Sequence, residues 1–216
     1  MSGPPLAGGA PDTLPRRPPV PTRPPSGTQA RGDRTRAAII DEAVRCVLDE
    51  GVAAASAKHI AERAGVTWGV IQYHFGSRDG LFAAVVETGF DALRQTMADL
   101  ELPPGATREQ LGVLVDAAWS AFSSPTSRAS LEILIATRPA RDQALEAPLE
   151  GMARELRRLG RGLGGRGRPE LGALVWAVLR GLVLEQMVVT DPVDTARQRS
   201  VLVEVLSAYV ASDPAS

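Results

Sequence analysis

A single cysteine, Cys46, stands in a chain of 216 residues, and histidine is almost as scarce, with two. One thiol excludes an internal disulfide and a zinc site built on several thiolates. Cys46 falls on an apolar helical face and reads as a small core residue. No cluster of histidines and carboxylates stands at metal-ligand spacing. The glycine-rich stretch Gly160 to Gly167 has no strand before it, so it is not a nucleotide-binding loop. These lacks argue against an enzyme and imply no metal and no cofactor. Aromatic residues are only 4% of the chain, which suits helices packed through Leu, Val and Ala better than a β-sandwich, and no alternating strand pattern occurs. No apolar run approaches the ~18 residues needed to span a bilayer, and the Pro/Gly-rich amino terminus is not a signal peptide. The expectation is a cytoplasmic protein with no membrane partner.

Charge of neither sign dominates, and the formal net charge is −1. Three arginines face one aspartate in residues 1–30, seven cations face seven anions in 31–80, and fourteen face seventeen in 81–216. Any affinity for nucleic acid must therefore come from local placement of cations.

Three regions follow from the pattern. Residues 1–30 are rich in Pro, Gly, Ser and Thr with almost no large apolar side chain, so they cannot offset their ordering entropy and are expected to be a disordered basic tail. Residues 31–80 read as a small domain of short helices, and 81–216 as a larger helical domain. Helix 1 is expected over about Thr35 to Glu50, where Ile39, Ile40, Ala43, Val44, Val47 and Leu48 recur at helical spacing and Gly51 ends it. Ser56 can cap a second helix running to Ala64. A turn at Ala64-Gly65-Val66 follows, and Thr67 is placed to cap a third helix, Trp68 to His74. Helix 4 starts near Gly76-Ser77-Arg78-Asp79 and extends to about Leu100, before Pro103-Pro104-Gly105. Further helices are expected over Thr107–Phe122, about Ser127–Thr137, about Arg141–Leu159 with a bend near Pro148, Pro169 to about Val189, and from the cap Asp194 to about Ala211.

Two short helices joined by a glycine-containing turn form the DNA-reading helix-turn-helix. The second helix would carry Thr67, Trp68, Gly69, Gln72 and Tyr73 to the major groove, with Val70 and Ile71 facing inward.

Thr35 to Val86 resembles the amino-terminal domain of the TetR family of bacterial transcriptional regulators. The resemblance rests on Ile60-Ala61-x-x-Ala64-Gly65-Val66, on Tyr73-His74-Phe75 at the end of helix 3, and on Ser77-Arg78-Asp79-Gly80-Leu81 at the opening of helix 4. It covers about a quarter of the chain. Trp68 departs from the small or basic residue frequent there, Gln72 from the usual Tyr, and Val47 from a frequent Phe. The first two positions face DNA in the family, so no relative's operator sequence can be borrowed.

The resemblance implies an all-α protein with a three-helix helix-turn-helix domain followed by a larger ligand-binding and dimerisation domain. It implies that Lys58 touches phosphate or a base edge, that Thr67, Trp68 and Gln72 reach base edges, and that Tyr73, His74 and Arg78 bind phosphates. His59 reads as exposed and inert. The family's common mode is a homodimer, joined through its last two helices, that represses from a palindromic operator on double-stranded DNA until a small-molecule effector releases it. For the effector pocket the candidates are Trp119, Phe122, Leu131, Ile135, Trp176, Leu179 and Met187, with Arg138, Arg180, Glu185 or Gln186 as polar anchors. Ordinary core packing is the duller reading of each apolar one. A helical binding module without DNA recognition is the alternative for the whole chain.

Overall fold

The structure, a computed structural model, describes residues 27–98, 107–140, 149–154, 157–158, 169–189, 191 and 193–212. The protein is all-α, and no strand occurs among the described residues. We number the helices α1 (Gly27–Ala54), α2 (Ala57–Arg63), α3 (Trp68–Phe75), α4 (Arg78–Ala98), α5 (Arg108–Phe122), α6 (Pro125–Thr137), α7 (Pro169–Val188) and α8 (Ala196–Ala211), with a 3-10 turn at Arg138–Ala140 after α6. Residues 149–154 are also helical.

Capping side chains set most of the boundaries. Ser56 Oγ accepts from His59 N at the start of α2, and Ser77 Oγ accepts from Gly80 N at the start of α4. Thr107 and Gln110 form a reciprocal capping box on α5. Ser124, with Pro125 in the first turn, opens α6 a little earlier than expected. Asp194 Oδ1 accepts from Ala196 N at α8. Thr67 occupies the cap position of α3 but makes no side-chain cap bond, so its hydroxyl is left for another partner. The helical runs expected near Arg141–Leu159 and the loop Gly160–Gly167 lie mostly outside the described residues, as do Leu100 and Pro103-Pro104-Gly105.

One boundary needs correction. α1 begins at Gly27, well before Thr35, and breaks at Gly51, where φ is 82°. Continuity with the packed part of α1 carries the helix back through these turns. Arg34 Nε donates to Ala30 O and Thr35 Oγ1 to Arg31 O, so residues 27–30 belong to a helix rather than to a disordered tail.

The side chains gather into two cores. The first holds Ile39, Ala43, Cys46 and Val47 of α1, Ile60 of α2, Ile71 of α3 and Leu81 to Val86 of α4, together with Ala129 and Ile133 of α6. It therefore runs across the division expected at residue 80, because α6 returns to pack on α1 and α4. Ser130 Oγ ties that crossing together, donating to Thr126 O and lying 3.3 Å from Val85 O. The second core joins Leu93 of α4 to α5, α7 and α8 through Leu111, Leu114, Val115, Ala118, Val175, Trp176, Leu179, Leu202, Val203 and Leu206.

Contrary to the sequence expectation, one helix among the described residues is long and apolar enough to cross a bilayer by length and composition. Leu171–Val188 within α7 has a mean hydropathy of 1.6. Averaging over the helix absorbs Arg180 and Glu185, which interrupt the run. The buried side of α7, with Leu171, Val175, Trp176 and Leu179, packs into the second core.

Candidate nucleic-acid interface

α2 and α3 meet through a turn that only a residue comfortable at positive φ can make. Gly65 lies at φ 66°. Gly65 N then donates to Glu62 O, and Val66 N to Ala61 O. Ile60 and Ala61 of α2 and Ile71 of α3 fill the space beneath. With Ile71 buried and Val70 half-buried, the opposite side of α3 faces solvent.

Thr67, Trp68, Gly69, Gln72 and Tyr73 are all exposed. From Trp68 they follow the i, i+1, i+4, i+5 spacing of one helical face. Trp68 is 44% exposed and Tyr73 85%, unusual for large aromatics within a structured helix. Tyr73 does not tuck its ring between helices; it stands out against the edge of His74, with ring centroids 5.0 Å apart. His74 is half-buried between Tyr73 and Phe75. Lys58, on α2, has an 85% exposed side chain, with Nζ 3.8 Å from Glu62 Oε1. That contact is long and solvent-screened, so the ammonium is free to exchange it for another anion.

Arg78 is different, because the structure gives it partners that the sequence did not signal. Its Nε donates to Ala55 O at 2.9 Å and its Nη2 to Val52 O. The guanidinium lies 4.6 Å from the centroid of the Phe82 ring. These partners pin the start of α4 to the end of α1. Arg78 thus has a positioning role, bracing the start of α4, beside the phosphate contact expected of it. Nothing local in Ser-Arg-Asp-Gly signals this, because the carbonyls it meets are 23 and 26 residues earlier.

Gly80 is a second positioning residue. A Cβ there would lie 2.0 Å from Phe75 O, so a glycine is what allows α4 to approach the end of α3 so closely.

Arg63 organises the side of the unit formed by α1 and α2. Nε donates to Glu42 Oε1 at 2.6 Å, Nη2 to Asp49 Oδ2 at 3.1 Å and Nη1 to Glu50 Oε1. His59 Nε2 sits 2.8 Å from Glu50 Oε2, so His59 is not inert. Burial pushes the Glu42 carboxyl up, but hydrogen bonds from Arg63 and Arg45 outweigh it and hold it below its usual range. Hydrogen bonds from Arg63 and His59 likewise lower Glu50, and the three carboxylates raise Arg63. Three of the acids that neutralised this region in the sequence count are thus tied up in one network.

The same corner brings donor atoms of Cys46, Glu50 and His59 within 4.8 Å of one another, a juxtaposition hidden in the sequence. Burial and the nearby Glu50 charge push the Cys46 thiol up, and Glu50 already serves Arg63. The thiol thus sits beside the ion-pair network of Glu50, His59 and Arg63.

The residues expected to meet an effector are only partly brought together. Trp176 and Leu179 are buried in the second core, and the Phe122 ring lies 5.6 Å from that of Trp176. Trp119 is half-buried beneath the Arg199 guanidinium, 4.8 Å from its ring centroid. Leu131 and Met187 are half-buried. Ile135 and Arg138 instead face solvent at the far end of α6, because α6 turns its Ala129–Ile133 side toward the first core. Arg180 Nε donates to Trp176 O and Gln186 Nε2 to Val193 O, so both serve local backbone; Glu185 is exposed. A groove of about 640 Å³ between α5 and α8 is lined by Arg108, Glu109, Asp116, Arg199, Ser200 and Val203 among others. None of the expected pocket residues lines it.

Residues 39–85 match the family described as bacterial regulatory proteins, tetR family. The chain is 36% identical over 110 residues to the HTH-type transcriptional regulator SrpR of Pseudomonas putida, covering 50% of this chain and 49% of that protein. It is 36% identical over 110 residues to the uncharacterized HTH-type transcriptional regulator TtgW of Pseudomonas putida, covering 50% of this chain and 78% of that protein. The matched stretch thus spans about half the length of SrpR. The crystal structure of multidrug binding protein EbrR complexed with ethidium aligns with a TM-score of 0.59 at 26% identity, covering 79% of this chain and 97% of that one.

Proposed function

This chain belongs to the TetR family of bacterial regulatory proteins, and on that footing we propose that it is a cytoplasmic, homodimeric repressor that leaves a palindromic operator when a small molecule binds. The observation that carries the reading is the outward face of α3, where Trp68 and Tyr73 are exposed on a helix whose other side is packed. A folded monomer gains nothing from two such aromatics in water; a duplex groove supplies base edges, sugars and phosphates for them.

In this reading Thr67, Trp68, Gly69 and Gln72 reach base edges. Gln72 can pair bidentately with adenine, and Trp68 can press on a thymine methyl. Lys58, Tyr73 and His74 meet phosphates and set the register. Arg78 holds α4 against α1 so that α3 keeps its angle.

Dimerisation is supported by what α7 and α8 leave uncovered. Leu174 and Val188 of α7, and Val201, Val205 and Tyr209 of α8, are exposed. Pairing these helices with their copies would bury both faces in a four-helix bundle. Two α3 helices related by a two-fold axis would then read half-sites spaced by helical turns.

For the effector, the cluster of Trp119, Phe122 and Trp176 favours an apolar or aromatic molecule, and EbrR was crystallised with ethidium and with malachite green. Binding would favour a second arrangement of α4 and α6 in which the α3 spacing no longer fits the operator. Coupling of ~1–3 kcal/mol is typical of such switches.

Selection of bound sequences from random duplexes tests the reading. The expected product is a palindrome bound by a dimer. Gln72→Ala should then lose roughly 1–3 kcal/mol of discrimination at one base pair per half-site while keeping its fold. No enrichment at low ionic strength, or a monomer in sedimentation, would overturn it.

A further inference from the structure

We propose that the amino-terminal turns of α1 form a second contact with DNA, in which Arg31 and Arg34 grip backbone phosphates beside the stretch read by α3. The proposal rests on the reading that this chain binds duplex DNA, and it concerns residues outside the two-helix reading unit.

α1 starts at Gly27, yet its first fully buried side chain is Ile39. The turns before Ile39 therefore project past the core they belong to. Their own contacts are local: Arg34 Nε to Ala30 O and Thr35 Oγ1 to Arg31 O. A few turns of helix without a packed face are marginal by themselves in water. Continuity with α1 keeps them helical, and a charged partner would use them.

Their position is fixed by Arg36. Its guanidinium lies 5.3 Å from the centroid of the ring of Phe75, the last residue of α3. This places the amino end of α1 beside the Tyr73-His74 turn, where the candidate phosphate contacts of α3 lie. At about 1.5 Å per residue, Arg31 sits roughly 7 Å further along the helix axis than Arg36.

Charge supplies the third argument. Arg31 and Arg34 are exposed and three residues apart, on one helical face away from the Ile39–Ala43 stripe. Among the described residues no carboxylate comes within ion-pair distance of Arg31, Arg34 or Arg36, whereas Arg45 and Arg63 of the same unit are both paired. Three of the unit's carboxylates, Glu42, Asp49 and Glu50, are thus gathered at the Arg63 corner, while Arg31 and Arg34 share their exposed turns with one carboxylate, Asp33, that lies outside ion-pair distance of either. Guanidinium is suited to bidentate phosphate binding, and such contacts add affinity without reading sequence.

The test compares the full chain with Arg31→Ala/Arg34→Ala and Arg31→Lys/Arg34→Lys on the selected operator, over a salt series. Each phosphate contact contributes about −0.9 to the slope of log affinity against log salt. The alanine pair should flatten the slope by roughly 2 per protomer, weaken binding at least tenfold at moderate salt, and shorten nuclease protection at the outer edges of the site. Sequence preference should not change, and the lysine pair should keep most of the slope. Both side chains are exposed, so folding should be unaffected, as circular dichroism would show. An unchanged slope and footprint in the alanine pair, with Gln72→Ala still altering base preference, would overturn this proposal and leave the reading of α3 intact. Failure of the unaltered chain to bind any duplex would overturn both.

Discussion

Around Arg63 the amino-terminal half ties α2 to α1 with ion pairs to Glu42, Asp49 and Glu50, whereas the carboxy-terminal half joins α5, α7 and α8 mainly through apolar contact around Trp176. Ion pairs do occur in the second half, Arg108 with Glu204 and Arg199 with Asp116, but at its rim. The first half orients its helices through directional, charged contacts and shows water a polar and aromatic reading face. The second half is held by non-directional burial and still leaves Leu174, Val201 and Val205 in water. Under the proposed function the first half must hold one geometry, whereas the second must be able to shift and to find a partner. The division of forces matches that division of labour.

The largest expected blow falls on the apolar half. Trp176→Ala should cost about 3–5 kcal/mol, read by denaturant titration. Hydrogen exchange should show protection lost first in α5, α7 and α8 while α1 to α3 remain protected. Uniform loss across both halves would mean that the two cores are one cooperative unit. Gly80→Ala should cost about 1–3 kcal/mol by forcing α4 away from Phe75 O, and operator affinity should fall further than stability alone explains, because α3 is displaced.

Arg78→Ala separates a positioning role from a phosphate contact. Losing its carbonyl partners should cost roughly 2 kcal/mol of stability. A salt slope of operator binding that stays where it was would leave the positioning role alone; a slope flattened by about one would show the phosphate contact as well.

The smallest effect is that of pH. Glu42 and Glu50 have folded values below the ordinary 4.5, held there chiefly by hydrogen bonds from Arg63. The unfolded chain therefore binds more protons as pH falls, so their stabilisation is present above about 4.5 and is lost as pH drops through the folded values. Glu132 on α6 is shifted the other way, raised by burial, so acid relieves rather than removes its contribution. Exchange protection around α2 should thus fall on acidification, and Arg63→Ala should abolish most of that pH dependence.

The reading unit was legible because its determinants are local. Ser56, Gly65 and the apolar spacing of Ile60, Ala61, Val70 and Ile71 dictate helix, turn and helix from neighbouring residues alone, and the exposed face of α3 follows by periodicity. The roles of Arg78, Gly80, His59 and Arg63 were not legible, because their partners are distant in the chain or are backbone atoms with no sequence signature. Ile135 and Arg138 misled for a related reason: the helix was recognised, but which side of it would face the first core was not encoded nearby.

Local pattern alone was enough for an all-helical chain, for the reading helix and for its outward residues, since side-chain periodicity and capping act within a few positions. Long-range packing was needed to bring α6 into the first core, to give Arg78 its carbonyl partners at the end of α1, and to set Arg36 of α1 beside Phe75 of α3. Each of these depends on where a side chain finds room and a partner across tens of residues, which no short stretch of sequence can specify.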